Sequence, residues 1–306
     1  MGGGLLFMKK LNLSVRYKHL IEWIDLILYM LKNRGTSSYG ATHLRRLIER
    51  YLLEFVSTKE NLIAAEKTLV EMENLLKVTH IKGLRRIGAT NDGGYIGIHS
   101  ESSPILISGG GGKNIEFEIE LAEKGSQVKL YDPTIEKLPQ EHKNVEHLKY
   151  ALTSTEDKNF RKSISLGQAL QTLTLDLDEK VWLKLDIEGS EIGLLAQDLD
   201  LIPRFEQIFI EFHDTYKVVD LMYRNRLIQI LRTLQESHFV VSIASNNWSG
   251  ITNYGYSFAP VTFEATFLAK SSVREFSDVN EYKPLKNVNN RNRPEIPDSP
   301  FRFSPV

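Results

Sequence analysis

The chain has 306 residues, 42% hydrophobic and 25% charged, with a net charge of −1, so it can bury a sizeable core and carries no electrostatic footprint for nucleic acid. It contains no cysteine, which excludes disulfides, thiolate metal sites and a cysteine nucleophile together. The apolar run Leu20 to Leu31 is interrupted by Glu22 and Asp25 and falls short of the roughly 20 apolar residues that a bilayer demands; no signal-peptide or myristoylation pattern is convincing, so the expectation is a soluble, cytoplasmic protein without membrane insertion.

From about Leu13 to Lys77 the pattern is helical. Ser57 and Glu60 have the spacing of a capping box, and Leu62, Ala65, Leu69, Met72 and Leu76 then recur every three or four residues. This helical segment, 1–80, is expected to pack on its own domain; the alternatives are a homo-oligomer seam or a lid over a substrate. Across 81–271 short apolar runs alternate with helical stretches. Strands are expected at Ile105 to Ile107, Val128 to Tyr131, Val145 to Tyr150, Trp182 to Ile187 and Ile208 to Phe212. Helices are expected at Asn114 to Lys124 and Lys217 to Glu236. Two last strands, Phe239 to Ala244 and Thr262 to Leu268, flank a loop rich in Asn, Gly and Tyr. Such alternation implies an open, doubly wound α/β sheet covered on both faces. In the tail, 272–306, five of the ten prolines lie between Pro284 and Pro305, which suits an extended segment.

The segment Ser108 to Glu118 places four glycines between a strand and a helix. Glycine permits a tight turn and close approach of a ligand to the backbone, and the helix N-terminus beyond offers free N–H groups. Ser108, Gly109, Gly110, Gly111 and Glu116 are the candidate contacts. Asp132 ends the next strand 20 residues after Gly112, where a carboxylate can accept both ribose hydroxyls of a nucleotide-type ligand. Asn114 stands where G-x-G-x-x-G requires its third glycine, and the last two strands resemble a hairpin. Both details favour S-adenosylmethionine over a nicotinamide dinucleotide.

Trp182 to Glu191 runs from an apolar strand into acids. Asp186 and Glu188 would project to one side if the strand persists, while Glu191 reads as a helix cap. Glu211-Phe212-His213-Asp214 closes the following strand. His213 is the candidate general base, with Glu211 on its side and Asp186 or Glu188 to orient it. In a second reading Asp186, Glu188, His213 and Asp214 include ligands of a divalent ion, Mg²⁺ by its oxygen-rich set, that would hold and acidify the acceptor hydroxyl; their spacing is not tight, so this ranks below the metal-free version and no metal is predicted. Asn246, Asn247, Trp248 and Tyr254 are candidates for an acceptor pocket. Glu264 reads as structural.

The run Lys184-x-Asp186-x-Glu188-Gly189-x-Glu191 resembles the signature of the FkbM-type methyltransferases. The resemblance extends over roughly Arg86 to Lys270. It takes in Asn91-Asp92-Gly93-Gly94-Tyr95, the glycine loop, Tyr131-Asp132-Pro133, and Ala151-Leu152, where the adenine is usually flanked. Four consecutive glycines depart from the usual loop. The resemblance implies a Rossmann-like seven-stranded methyltransferase sheet with its last strand antiparallel. It also implies S-adenosylmethionine as cofactor and a sugar, other small molecule or glycan as hydroxyl-bearing acceptor. The catalytic candidates are then His213, Glu188 and Asp186, and the cofactor contacts include Asp132, Ala151 and Asp186. A nicotinamide-dependent oxidoreductase using the same loop, or a non-enzymatic cofactor-binding scaffold, are the alternatives.

Overall fold

The computed structural model describes residues 38–98, 103–157, 159–173, 179–247, 249–273 and 276–278. The helices expected before residue 38, most of the proline-rich tail and Trp248 lie outside the described residues. Helix α1 (Ser38–Val56) leads into α2 (Lys59–Leu75). Thr58 caps α2, its hydroxyl accepting the Asn61 N–H at 3.2 Å, whereas Ser57 donates back to the Leu53 carbonyl of α1. The expected Ser57–Glu60 capping box therefore gives way to a cap one residue later, because Ser57 is used to close the preceding helix. Thr58→Ala is expected to cost about 1 kcal/mol in urea unfolding. An unchanged midpoint would show that tertiary contacts alone hold the start of α2.

The chain continues through β1 (Thr79–Ile81), β2 (Leu84–Gly88), β3 (Gly94–Ile98), β4 (Ile105–Gly109), α3 (Glu116–Glu123), β5 (Val128–Tyr131) and β6 (Val145–Leu148). Next come β7 (Ala151–Leu152), β8 (Ser163–Ile164), α4 (Leu166–Gln171), β9 (Val181–Leu185), α5 (Glu191–Gln197) and β10 (Phe205–Phe212). Then follow α6 (Leu221–Ser237), β11 (His238–Ser245), β12 (Ile251–Tyr254), β13 (Ser257–Pro260), β14 (Phe263–Ala269) and β15 (Phe276–Asp278). Seven strands form the main sheet in the order β11-β14-β10-β9-β4-β5-β6. β14 runs antiparallel to both neighbours, β10 and β11, while β10, β9, β4, β5 and β6 are mutually parallel. The α/β expectation holds, and the reversed last strand is slotted inside the sheet edge. The loop expected between the last two strands contains the hairpin β12–β13.

Successive strand residues face opposite layers. Leu106, Trp182 and Phe209 point to the side covered by α3 and the β2–β3 hairpin, where Phe117 lies edge-to-face with Phe209 at 4.9 Å and with Tyr95 at 5.5 Å. Ile107, Leu183 and Ile210 point to the other side, which α2, α5 and α6 cover through Leu69, Leu194 and Leu231. Burial on both faces is why these strands read as unbroken apolar runs. Ala65, Leu69 and Met72 of α2 are fully buried in this core, so the helix serves the same fold as the sheet. No helix among the described residues is long and apolar enough to cross a membrane.

From β4 the chain moves outward to β5 and β6, then crosses back to β9 on the other side of β4. That reversal opens a crevice at the carboxyl ends of the strands, the place where open α/β sheets bind ligands.

Candidate functional site

A cavity of ≈ 360 Å³ occupies this crevice, within the usual size range of small-molecule sites. Its walls come from the glycine loop after β4, the segment after β5, the start of β7 and the turn after β9. Gly110, with φ +78°, makes the tightest approach: a Cβ there would stand 1.7 Å from the Asp186 carbonyl oxygen. Only glycine lets the two strand ends meet at that point.

Asp132 shapes the loop. Its Oδ2 accepts the N–H groups of Gly111 and Gly112 at 3.0 and 2.9 Å, and its Oδ1 accepts the Thr134 N–H at 2.7 Å and hydroxyl at 2.6 Å. Burial disfavours the charge, but the Thr134 hydroxyl and these amides outweigh it and hold the carboxyl below its ordinary range. A carboxylate offers about four acceptor positions, and all are filled. Asp132 thus braces the loop and lines the cavity at the same time.

Gly110, Gly111, Ala151 and Asp186 also line the cavity, whereas Ser108, Gly109 and Glu116 do not. Ser108 is buried behind the loop and donates to Glu118 Oε1 at 2.5 Å. Glu118 pairs with Lys184 at 3.1 Å, and Lys184 in turn donates to the Gly110 carbonyl at 2.8 Å. Gly109 faces Ile187 and Leu152 within the sheet. Glu116 is exposed in the first turn of α3. The cavity also includes Thr134, Phe160 and Ser190, which sequence reasoning did not single out. Phe160 has no local signal, since it arrives on the connection between β7 and β8. Asp92 is brought in by its turn, whose carbonyl accepts the Asn114 side-chain amide at 2.8 Å.

The acids after β9 part company. The strand stops at Leu185, and the backbone turns through positive φ at Glu188 (55°) and Gly189 (108°), so Asp186 and Glu188 do not share a strand face. Glu188 sits at the rim, its side chain 67% exposed and paired with Arg46 of α1 at 3.0 Å. Arg46 also reaches Asp214 at 3.0 Å, and Asp214 pairs again with Lys217 at 2.9 Å. Asp186 turns inward, where Tyr95 donates to it at 3.4 Å.

His213 is buried. Its Nδ1 lies 3.0 Å from Glu191 Oε1, and its Nε2 lies 3.5 Å from Glu211 and 3.7 Å from Glu188. Burial favours the neutral ring, yet the charges of Glu191 and Glu211 prevail and raise its pKa well above the ordinary value. Glu211 and Glu188 thus lie beside the ring of His213, as expected of the carboxylates that would orient it. Burial and the neighbouring Glu211 raise Asp186 well above the usual carboxylate range. Glu191, expected as a helix cap, is fully buried and accepts the Ile187 and Gly189 N–H groups, holding the turn that carries Glu188.

Of the acceptor-pocket candidates, Tyr254 is buried with its hydroxyl donated to the Tyr216 carbonyl, and Asn247 is buried. Asn246 donates to Glu211 Oε1 at 2.8 Å and so belongs to the acidic group. A second cavity of ≈ 420 Å³ shares Ser190 with the first and is bounded by Glu49 and Leu53 of α1, Ser154, and Tyr223 of α6. No family model matches this chain, and no curated protein matches it in sequence.

Proposed function

We propose that the chain is an S-adenosylmethionine-dependent methyltransferase acting on a small hydroxylated acceptor such as a sugar. The observation that carries this reading is the engagement of the Gly111 and Gly112 amides by Asp132. A dinucleotide needs such amides for its pyrophosphate. Here an internal carboxylate already fills the anion position, and the carboxyl groups of Asp92, Asp186 and Glu188 also line the cavity, with Lys113 beside them. Those acids repel phosphate and suit the sulfonium and ammonium groups of S-adenosylmethionine. The reversed β14 within a seven-stranded sheet agrees with what the FkbM-type resemblance implies. Ala151, Leu152, Phe160 and Ile187 supply the apolar surface on which an adenine can rest.

The cofactor, when bound, supplies an activated methyl group. The backbone of Gly110 and Gly111, the Ala151–Leu152 segment and Asp186 would hold it. The chain must then orient the acceptor, exclude water and take up the hydroxyl proton. This reading places the acceptor in the part of the first cavity that Asp186, Glu188 and Ser190 line. Asp186 and Glu188 are the carboxylates on the cavity wall toward which the proton leaves. His213 lies behind them and orients them.

Calorimetry with the purified full chain should show saturable, micromolar binding of S-adenosylmethionine and of its demethylated product. NADH fluorescence should remain unperturbed under the same conditions. Absence of binding by both adenosyl compounds would remove the proposal, and tight NADH binding would replace it with the oxidoreductase.

A further inference from the structure

Asp186, Glu211 and His213 each bring one ligand-type atom into a space where all lie within 4.8 Å of one another, the one such group among the described residues. Asp186 follows the last residue of β9, Glu211 lies in β10 and His213 just beyond it, so adjacent parallel strands assemble the trio. Asp186 and His213 belong to the ligand set read from the sequence, while Glu211, 25 positions beyond Asp186, takes the place of Glu188 and Asp214.

The surroundings have the form of an outer shell around a metal site. Glu191 engages His213 at Nδ1, which fixes the ring and leaves Nε2 turned toward Glu211. A carboxylate on the far nitrogen is the usual support of a metal-bound histidine. Asn246 donates to Glu211 Oε1, leaving Oε2 on the His213 side, and Tyr95 donates to Asp186 Oδ2. Each inward group thus has its own orienting partner on a different element.

We propose that Asp186, Glu211 and His213 form a binding site for a divalent first-row cation, seated beside the cavity wall that Asp186 helps to build. One imidazole and two carboxylates suit Mn²⁺ or Zn²⁺ better than Mg²⁺, which prefers an all-oxygen shell. Three protein ligands leave further coordination positions open, as a catalytic rather than a structural site requires. Use of the ion to hold and acidify an acceptor hydroxyl rests on the methyltransferase reading. The site itself does not.

The test uses the full chain stripped with chelator and titrated with Mn²⁺ alone, following loss of the free-ion electron paramagnetic resonance signal. One equivalent should bind, with nitrogen coupling visible in pulsed spectra. Glu211→Gln and His213→Gln should each weaken binding by roughly 100-fold, the latter also abolishing the nitrogen coupling. Thermal melts provide a check independent of the histidine variant's folding: Mn²⁺ should raise the melting temperature of the wild type and leave that of Glu211→Gln unchanged. No Mn²⁺ or Zn²⁺ binding by the wild type, or equal binding by both variants, overturns the site. Metal binding without any affinity for S-adenosylmethionine would uphold the site and reject only the methyltransferase.

Discussion

Asp132→Ala is expected to weaken S-adenosylmethionine binding by about 100-fold or more while leaving the chain folded. The carboxylate holds two loop amides and both donors of Thr134. Hydrogen bonds to a charged group are worth about 1.5–3 kcal/mol each, and roughly 1.4 kcal/mol corresponds to tenfold in affinity, so losing the two loop contacts accounts for the expected drop. Gly110 and Gly111 remain packed against the Asp186 backbone, Leu130 and Ile115 in the variant, and the unfolding midpoint should move less than the affinity. Asp132→Asn retains an oxygen for the amides but turns an NH₂ against the Thr134 N–H, and should fall between the two. Because the alanine variant also frees the Gly111 and Gly112 amides, it should gain weak affinity for inorganic pyrophosphate. Calorimetric affinity within about twofold of wild type would show that the loop does not depend on this acid.

Lys184→Met is expected to destabilise the protein by about 3–5 kcal/mol in urea unfolding, the usual cost of stranding one member of a buried ion pair. Lys184 and Glu118 are 3% and 0% exposed at the side chain. Despite burial, which favours the neutral amine, Glu118 and then Asp186 raise the Lys184 pKa, so the lost partner is a full charge. Removing it leaves Glu118, whose Oε2 already lacks a hydrogen-bond partner, with only the Ser108 hydroxyl. It also leaves the Gly110 carbonyl without this donor at the mouth of the cofactor loop. The double variant Lys184→Met/Glu118→Leu should recover much of the loss, since no uncompensated charge remains. A single-variant loss under about 1 kcal/mol, or a double variant no more stable than the single, would contradict the pairing.

The two predictions concern neighbouring parts of one loop. Lys184 and Glu118 secure it from below through the Gly110 carbonyl, and Asp132 secures it from the side through the next two amides. Together they fix a turn that side chains could not occupy: a Cβ on Gly110 would collide with the backbone after β9. Rigidity of this kind reduces the ordering cost of binding a flexible ligand.

Much of the fold was legible in the sequence. Val128 to Tyr131 is a strand with the expected bounds, and Leu69 and Met72 take the buried positions that their helical spacing assigned. The glycine run and Asp132 mark the loop and the strand end that meet in the cavity. These features are local: side-chain period, glycine's positive φ and an acid at a strand end are written in consecutive residues. The role of each acid was not local. Asp132 and Glu188 both line the cavity, but the partners that hold them were not written in the sequence. Register and turn geometry gave the first to two amides and turned the second out to Arg46.

By itself the sequence determined an α/β chain, the place of its glycine loop and the chemical types gathered near the strand ends. Only the tertiary structure decided that Glu191 holds His213 at Nδ1, that Asp186 meets Glu211, and that Ser108 and Glu116 stand away from the cavity. The physical reason is that hydrogen-bond partners are allotted by the pairing of distant strands. A donor's nearest acceptor in space is set by which strand lies beside it, and that adjacency is a property of the whole sheet.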